Sequence, residues 1–484
     1  MNTKDSASRA SVTLRKGFSF QPMKRLMRTE DLIPIKSKLL GNGMSVNFRG
    51  TDYGIIYPDE VWKATPTDTR RALKDNLAMA TTMHLPMIFP GSGVDYDSGR
   101  PLLEPYFMLN FWKDIPSVTE ADKTDTAEAI RKWYSIEYRF EDQAVVYPSP
   151  DPVESPWRAV VGLSFGKDSL LTFAVAKEIG LDPEAAYAVE QSMAYEEKHK
   201  ANLAIGFKKE FGKQLHILKH DTGKLRDYRY LGLRESDFGW GLQSTEYALD
   251  LIPFAYFYNA EYMLFGNEQS CAATYMEPDG NWLVNPCYDQ SHLWTIHIDQ
   301  ITQAFSGRVV RTGSLIEPLM DMMVQRILAH RYPEMAKYQM SCFTRNEEGR
   351  DYHWCHNCAV CAKMYLLCVG SGINPEAIGL KQNMLRAESK RFFTMFGGRS
   401  DMPYANTDIS IDEQIFAFYC AAKKGAQGAL VDEFKQSKFY QEAKDREDEL
   451  FEKFCSLYEP ISLPKELRDK VLSIYKEELS TFEI

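Results

Sequence analysis

Residues 158–182 read RAVVGLSFGKDSLLTFAVAKEIGLD, and this stretch decides the fold. Val160, Val161 and Leu163 make the short apolar run of a buried strand. Leu170, Leu171, Phe173, Ala174, Val175 and Ile179 then recur at helical spacing, and Gly180 supplies a stop. Between them lies Ser164-Phe165-Gly166-Lys167-Asp168-Ser169. A strand that passes through a short glycine-containing turn into a helix aims backbone N–H groups and the positive helix end at one spot. That arrangement binds phosphate. Lys167 adds a point charge, Ser164 and Ser169 add hydroxyl donors, and Asp168 is the candidate to hold Mg²⁺ against phosphate oxygens.

Outward from this loop, strands alternate with helices. Ala185–Glu190 reads as a second strand and residues 196–211 as a second helix. Gln214–His220 reads as a third strand, and a helix from Ser244 to Ala260 leads into a fourth at Tyr262. A further strand is expected over residues 307–315, with a helix from Glu317 to His330. This alternation predicts a parallel sheet, with ligands outside the carboxyl ends of its strands. Asn267, Glu268 and Ser270 follow the fourth strand and are the substrate candidates. Glu268 could hold a second Mg²⁺ or act as a base. Asp289, His292 and His220-Asp221 are weaker candidates, and Trp240, Tyr247, Tyr256, Phe257 and Tyr258 could stack a planar base or simply pack the core.

The second informative cluster is Cys342 followed by Cys355, Cys358 and Cys361. Two overlapping C-x-x-C steps put thiolates on adjacent corners of a tetrahedron, and one upstream cysteine completes four ligands. A closed all-thiolate site fits structural Zn²⁺, with an iron–sulfur cluster as the alternative. His353 and His356 are nearby reserve ligands, and Cys368 reads as a core thiol.

The G-x-x-x-x-G-K-[ST] loop of kinase-like ATPases is absent. Ser164, Gly166, Asp168 and Ser169 instead resemble the Ser-Gly-Gly-x-Asp-Ser loop of the PP-loop ATP pyrophosphatases, with Phe165 in place of the usual first glycine. The resemblance implies splitting of ATP into AMP and pyrophosphate, usually to adenylate a substrate oxygen. It assigns Ser164, Phe165, Gly166, Lys167, Asp168 and Ser169 to the phosphates and Mg²⁺, and backbone groups of Ala188, Val189 and Glu190 to adenine. Lys167, Asp168 and Glu268 become the catalytic candidates. The loop together with Ser341-Cys342-Phe343 and the three later cysteines resembles 7-cyano-7-deazaguanine synthase, which activates a carboxylate for attack by ammonia. Phe265–Ser270, Val284-Asn285, Gln290-Ser291 and the run from Trp354 to Gly372 also resemble the muramoyl-dipeptide glutamate epimerases, which are thought to act through a glutamyl adenylate. Pro286-Cys287 departs from that family's His-Gln.

The expected architecture is therefore α/β: a Rossmann-like parallel sheet of the PP-loop type with a four-cysteine zinc module. Residues 1–150 are expected to form an N-terminal α+β accessory domain, 151–340 the ATP-binding domain, 341–400 the zinc module and its helix, and 401–484 a helical tail. The proline-rich run 148–156 reads as the linker. The tail's open roles are a lid, a packing brace or an oligomer contact. The extra N-terminal region points to an amine acceptor larger than ammonia, on a peptide or protein.

At 484 residues, 44% apolar and 26% charged, the chain has the composition of a soluble globular protein. A net charge of −10 counts against nucleic acid held through the overall field. No apolar run approaches the roughly 20 residues that span a membrane. The opening residues carry charge without an apolar core, so they read as a frayed terminus rather than a secretory signal. Nine cysteines, three of them within seven residues, fit a reducing compartment and a metal site, which predicts a cytoplasmic protein. A sulfur-transfer role would need a persulfide cysteine, and none is clearly placed for one outside the metal cluster. A catalytically silent nucleotide-binding scaffold is the reading from another class.

Overall fold

The computed structural model describes residues 32–148, 157–190, 194–234, 236–277, 279–307, 310–341, 353–398 and 403–484. The expected linker falls almost wholly outside them, and Cys342 does so as well. The chain is α/β, built on one ten-stranded sheet. Its strands are β1 (Leu32–Leu40), β2 (Gly43–Phe48), β3 (Thr51–Ile56), β4 (Gly93–Gly99) and β5 (Glu137–Asp142), then β6 (Arg158–Gly162), β7 (Asp182–Glu190), β8 (Leu215–His220), β9 (Tyr262–Leu264) and β10 (Arg311–Gly313). They lie in the order β10-β9-β6-β7-β8-β3-β2-β1-β4-β5. From β10 to β8 every pairing is parallel. The antiparallel pairings β8–β3, β3–β2 and β2–β1 follow, and β1, β4 and β5 are again mutually parallel.

The first 150 residues thus supply half the strands of the same sheet. The seam is short: Ile55 pairs with His220 and Ile56 with Lys219. The two cores divide by sheet face rather than by position along the chain. Along β6 and the residue that follows it, Ala159, Val161 and Leu163 enter one core and Val160 the other, as the two-residue period of a strand requires. Val160's core contains the N-terminal half together with helices from the middle of the chain. The opposite core joins the loop helix to the C-terminal helices.

Seven helices matter below: α1 (Thr67–Ala80), α2 (Lys167–Glu178), α3 (Gln243–Tyr258), α4 (His292–Ser306), α5 (Asp321–Arg331), α6 (Ala359–Gly370) and α7 (Asp408–Lys423). The C-terminal region is helical, as its pattern predicts, and α6 packs closely on α7. A Cβ on Gly370 would meet the Ala417 carbonyl oxygen at 2.8 Å.

Local readings fail where tertiary context or a proline intervenes. Met87-Ile88-Phe89-Pro90-Gly91 reads in sequence as a short strand ending in a turn, but Leu85–Ile88 is a short helix with Pro86 in its first turn, where the missing N–H costs nothing. Residues 126–138 read in sequence as one helix, but the helix ends at Tyr134 and the chain continues as the edge strand β5. The helix expected from Glu317 starts at Asp321 instead. Glu317 is occupied with the C-terminal region, where its Oε2 accepts the Ser462 N–H at 2.7 Å and the Leu463 N–H at 3.1 Å. No helix among the described residues is long and apolar enough to cross a membrane.

Candidate functional site

The loop that leaves β6 keeps the backbone of a glycine without having one. Phe165 sits in the left-handed region at φ 60°, a conformation that costs a side-chain-bearing residue roughly 1–2 kcal/mol. Its ring is fully buried beneath α2, edge-on to Phe207 with centroids 5.6 Å apart, and its carbonyl accepts the Met340 N–H at 2.7 Å. Burial of the ring offsets the strain, so only backbone atoms of Phe165 remain to meet a ligand. Gly166 caps α2. Its N–H donates to Ser164 Oγ at 3.4 Å, and Ser164 Oγ stands 3.3 Å from Ser169 Oγ. Both hydroxyls and the start of α2 therefore gather at one point.

The end of β9 comes against this loop. A Cβ on Gly266 would lie 2.7 Å from Asp168 Cβ, so a residue without a side chain is required there. Asn267 is fixed by its Nδ2, which donates to Thr295 Oγ1 at 2.9 Å, and by its carbonyl, which accepts from Ser314 Oγ at 2.7 Å. Glu268 is buried, and its Oε2 accepts the Cys271 N–H at 3.1 Å. Ser270 serves the framework: its Oγ accepts the Asp321 N–H at 3.2 Å at the start of α5.

The ionic centre draws on more of the chain than the sequence reading named. Lys167 Nζ pairs with Asp168 and stands 2.5 Å from Asp321 Oδ1, while Lys363 of α6 pairs with Asp321 Oδ2. Asp168, Glu268 and Asp321 each bring a carboxylate oxygen within 4.8 Å of the others. Glu413 of α7 is buried alongside, accepting the Met322 N–H at 3.0 Å. Asp321, Lys363 and Glu413 were missed. The signal is a charge among apolar residues, at a helix start in Leu319-Met320-Asp321-Met322-Met323 and inside a helix in Cys361-Ala362-Lys363-Met364, while Glu413, next to Asp412, carries none.

The charges govern one another. Burial works against the Lys167 ammonium, yet Asp168, Asp321 and Glu268 together hold its pKa well above the ordinary lysine value. Burial would raise Asp321, but Lys167 and Lys363 hold it far below the usual carboxylate range. Burial and the Asp321 charge push Glu268 up to about 7 and Glu413 up to about 8. Asp168 is raised by burial, with Lys167 pulling the other way.

A cavity of about 230 Å³ opens beside the loop at the carboxyl ends of β6, β7 and β9. Ser164, Asp168 and Ser169 form one end, Ala188 lies on its wall, and Tyr247 and Trp294 supply aromatic faces. The β6–β7 register stops at Gly162–Ala186, whereas β7 runs on to Glu190. Leu163 N–H donates to the Ala186 carbonyl at 3.0 Å. Ala188 has the same parity as Ala186, so its backbone faces the gap that β6 leaves. Glu190 shares that parity, whereas the backbone of Val189 faces β8.

Of the five aromatic candidates, only Tyr247 lines the cavity. Tyr256 donates to the Phe305 carbonyl at 2.9 Å, Tyr258 bonds His216, and Phe257 packs on His216 and Tyr258. Trp240 carries the Arg226 guanidinium 5.5 Å from its ring centre. His220 lies in a sealed network with Asp250 and Glu246. Asp221 pairs with Lys224, and Asp289 accepts from Ser244 Oγ at 2.8 Å. His292 begins α4 and does not line the cavity.

The cysteine cluster forms where α6 begins. Cys355, Cys358 and Cys361 bring their sulfurs within 4.8 Å of one another, with Cys355 Sγ 3.7 Å from Cys361 Sγ. Thiolates arranged tetrahedrally about zinc at 2.3 Å stand about 3.8 Å apart, so the three sulfurs fit such an ion. They can hold a metal such as zinc. Cys361 N–H donates to Cys358 Sγ at 3.4 Å, and Lys381 N–H donates to His356 Nε2 at 3.1 Å, which engages that imidazole with backbone. His353 is not in the group. Cys368 is fully buried and its thiol is pushed up by burial, as a core residue should be. No protein-family model, no curated protein and no solved structure matches the chain.

Proposed function

We propose that this chain is a PP-loop enzyme that uses ATP to adenylate a substrate carboxylate, releasing pyrophosphate and then AMP. The observation that carries the reading is the cavity at the carboxyl ends of β6, β7 and β9, floored by Ser164, Asp168 and Ser169. A base between Tyr247 and Trp294, read along its edge by the Ala188 backbone, would leave the phosphates on Ser164, Gly166, Lys167 and Ser169. The oxygens of Asp168, Glu268 and Asp321 fit a hard cation such as Mg²⁺, which when bound offsets phosphate charge. Catalysis in this scheme is positioning and electrostatic stabilisation. Carboxylates resist attack until adenylation supplies a leaving group, and the loop holds the α-phosphate next to the acid. The three cysteines would hold structural zinc, with Cys342 as the proposed fourth ligand.

Deazaguanine-synthase-like chemistry leads, with the adenylate taken by ammonia or by an amine on a peptide or protein. The epimerase reading has one specific support. Glu268 is buried, adjoins the loop and has a pKa pushed to about 7, which suits a base that removes an acidified α-proton. The test is AMP release from ATP and Mg²⁺ with 7-carboxy-7-deazaguanine against a UDP-muramoyl dipeptide ending in glutamate. AMP dependent on the first acid supports synthase chemistry, and AMP with the second supports the epimerase and makes Glu268 the first base to test. ATP bound without AMP from either would replace both with a silent scaffold.

A further inference from the structure

Asp321 carries two ammonium groups. Lys167 stands on one oxygen and Lys363 on the other, in a residue only 2% exposed. Lys167 also pairs with Asp168, whereas Lys363 has Asp321 as its paired carboxylate. Lys363 is also the one charged residue of α6, and its Nζ lies 4.9 Å from the centre of the Tyr404 ring. A buried ion pair rarely stabilises a fold more than apolar residues of equal volume, so packing does not explain a lysine here. Its side chain keeps 29% exposure, unlike Asp321, so it has a path to solvent and to a ligand.

Position says which ligand. Asp168 lines the cavity and touches Lys167, Lys167 touches Asp321, and Asp321 touches Lys363. Asp321 therefore bridges the loop lysine and Lys363, so a phosphate oxygen that took its place would meet both ammonium groups. We propose that Lys363 is a binding residue for the outer phosphates of the nucleotide, a pyrophosphate subsite, and that Asp321 is its resting partner when the subsite is empty. On binding, the two ammonium groups transfer from the carboxylate to phosphate oxygens; no covalent bond changes. The inference rests on the ATP reading for the identity of the nucleotide, but its claim about pyrophosphate stands apart. It also gives the cysteine cluster a task. Lys363 follows Cys361 by two residues, so whatever fixes the start of α6 fixes where Lys363 reaches.

The experiment is calorimetric titration of inorganic pyrophosphate, with Mg²⁺, into the full chain and into K363M and K363R, with AMP as a parallel ligand. Wild type is expected to bind both. K363M should lose about tenfold or more in pyrophosphate affinity while AMP affinity and zinc content hold, and K363R should stay within about threefold of wild type. K363M binding pyrophosphate as wild type does, or wild type failing to bind it, overturns the subsite. If K363M also loses AMP or zinc, K363R decides, and pyrophosphate affinity lost there as well overturns it. Pyrophosphate bound through Lys363 by a chain that binds neither AMP nor ATP would keep the subsite and remove the adenylation reading.

Discussion

Of two buried charge clusters among the described residues, one places Asp168 on the cavity wall, and the other reaches that wall only behind Tyr247, against which His220 and Arg226 pack. At the seam between the halves of the sheet, Arg226 pairs with Glu246, and His220 Nε2 lies 3.2 Å from Asp250 and 3.4 Å from Glu246. Tyr57 donates to Asp250 at 3.4 Å. Every one of these residues is at most 2% exposed. In these pairs two bases face two acids. At the loop, Lys167 and Lys363 face Asp168, Glu268, Asp321 and Glu413, leaving acids in excess. Perturbed ionisation is common to both. What separates them is imbalance beside open space, and that is the better marker of a site.

The contrast can be broken by experiment. Arg226→Met should cost about 3–5 kcal/mol, because it strands the buried Glu246 charge, while AMP formation per folded molecule stays within about threefold. Urea unfolding and an AMP assay on the same sample test both halves, and a large catalytic loss at unchanged stability would merge the two clusters. Asp168→Ala should do the reverse, with AMP formation down about 10³-fold, roughly 4 kcal/mol, and the urea midpoint nearly unmoved. An active Asp168→Ala chain would remove the loop from the chemistry.

The smallest effect is in pH. Burial raises Asp250 to about 7, helped by Glu246 and opposed by His220. Its folded pKa thus exceeds the unfolded value. Its contribution to stability is complete below about pH 4 and is lost as pH rises through about 7, with a slope of at most about 1.4 kcal/mol per pH unit. Asp250→Asn should flatten that part of the stability curve. An unchanged slope would assign the proton elsewhere.

What the sequence made legible was local. The strand, turn and helix of residues 158–182 declare themselves because each signal lies within a few residues of the next, and the three close cysteines do so by spacing alone. Asn267 and Glu268 were found because the end of a parallel strand is a known place to look. Asp321, Lys363 and Glu413 were not. Each meets partners from remote parts of the chain, and even a lone charge in an apolar helix, as at Lys363, says that a partner exists without saying which one. The joined sheet was hidden for a similar reason. β3 alternates as any half-buried strand does, and nothing in it shows that β8 lies alongside.

That seam also sets an order of events. The chain leaves the ribosome with β1 to β3 first, yet Ile55 finds its neighbour only after His220 has been made. Until then β3 carries an open edge able to pair with the wrong strand, on another copy as readily as on its own. Closing the seam is a long-range contact, slow by its loop entropy and late by its position. Dilution should therefore favour correctly closed molecules more than added stability would.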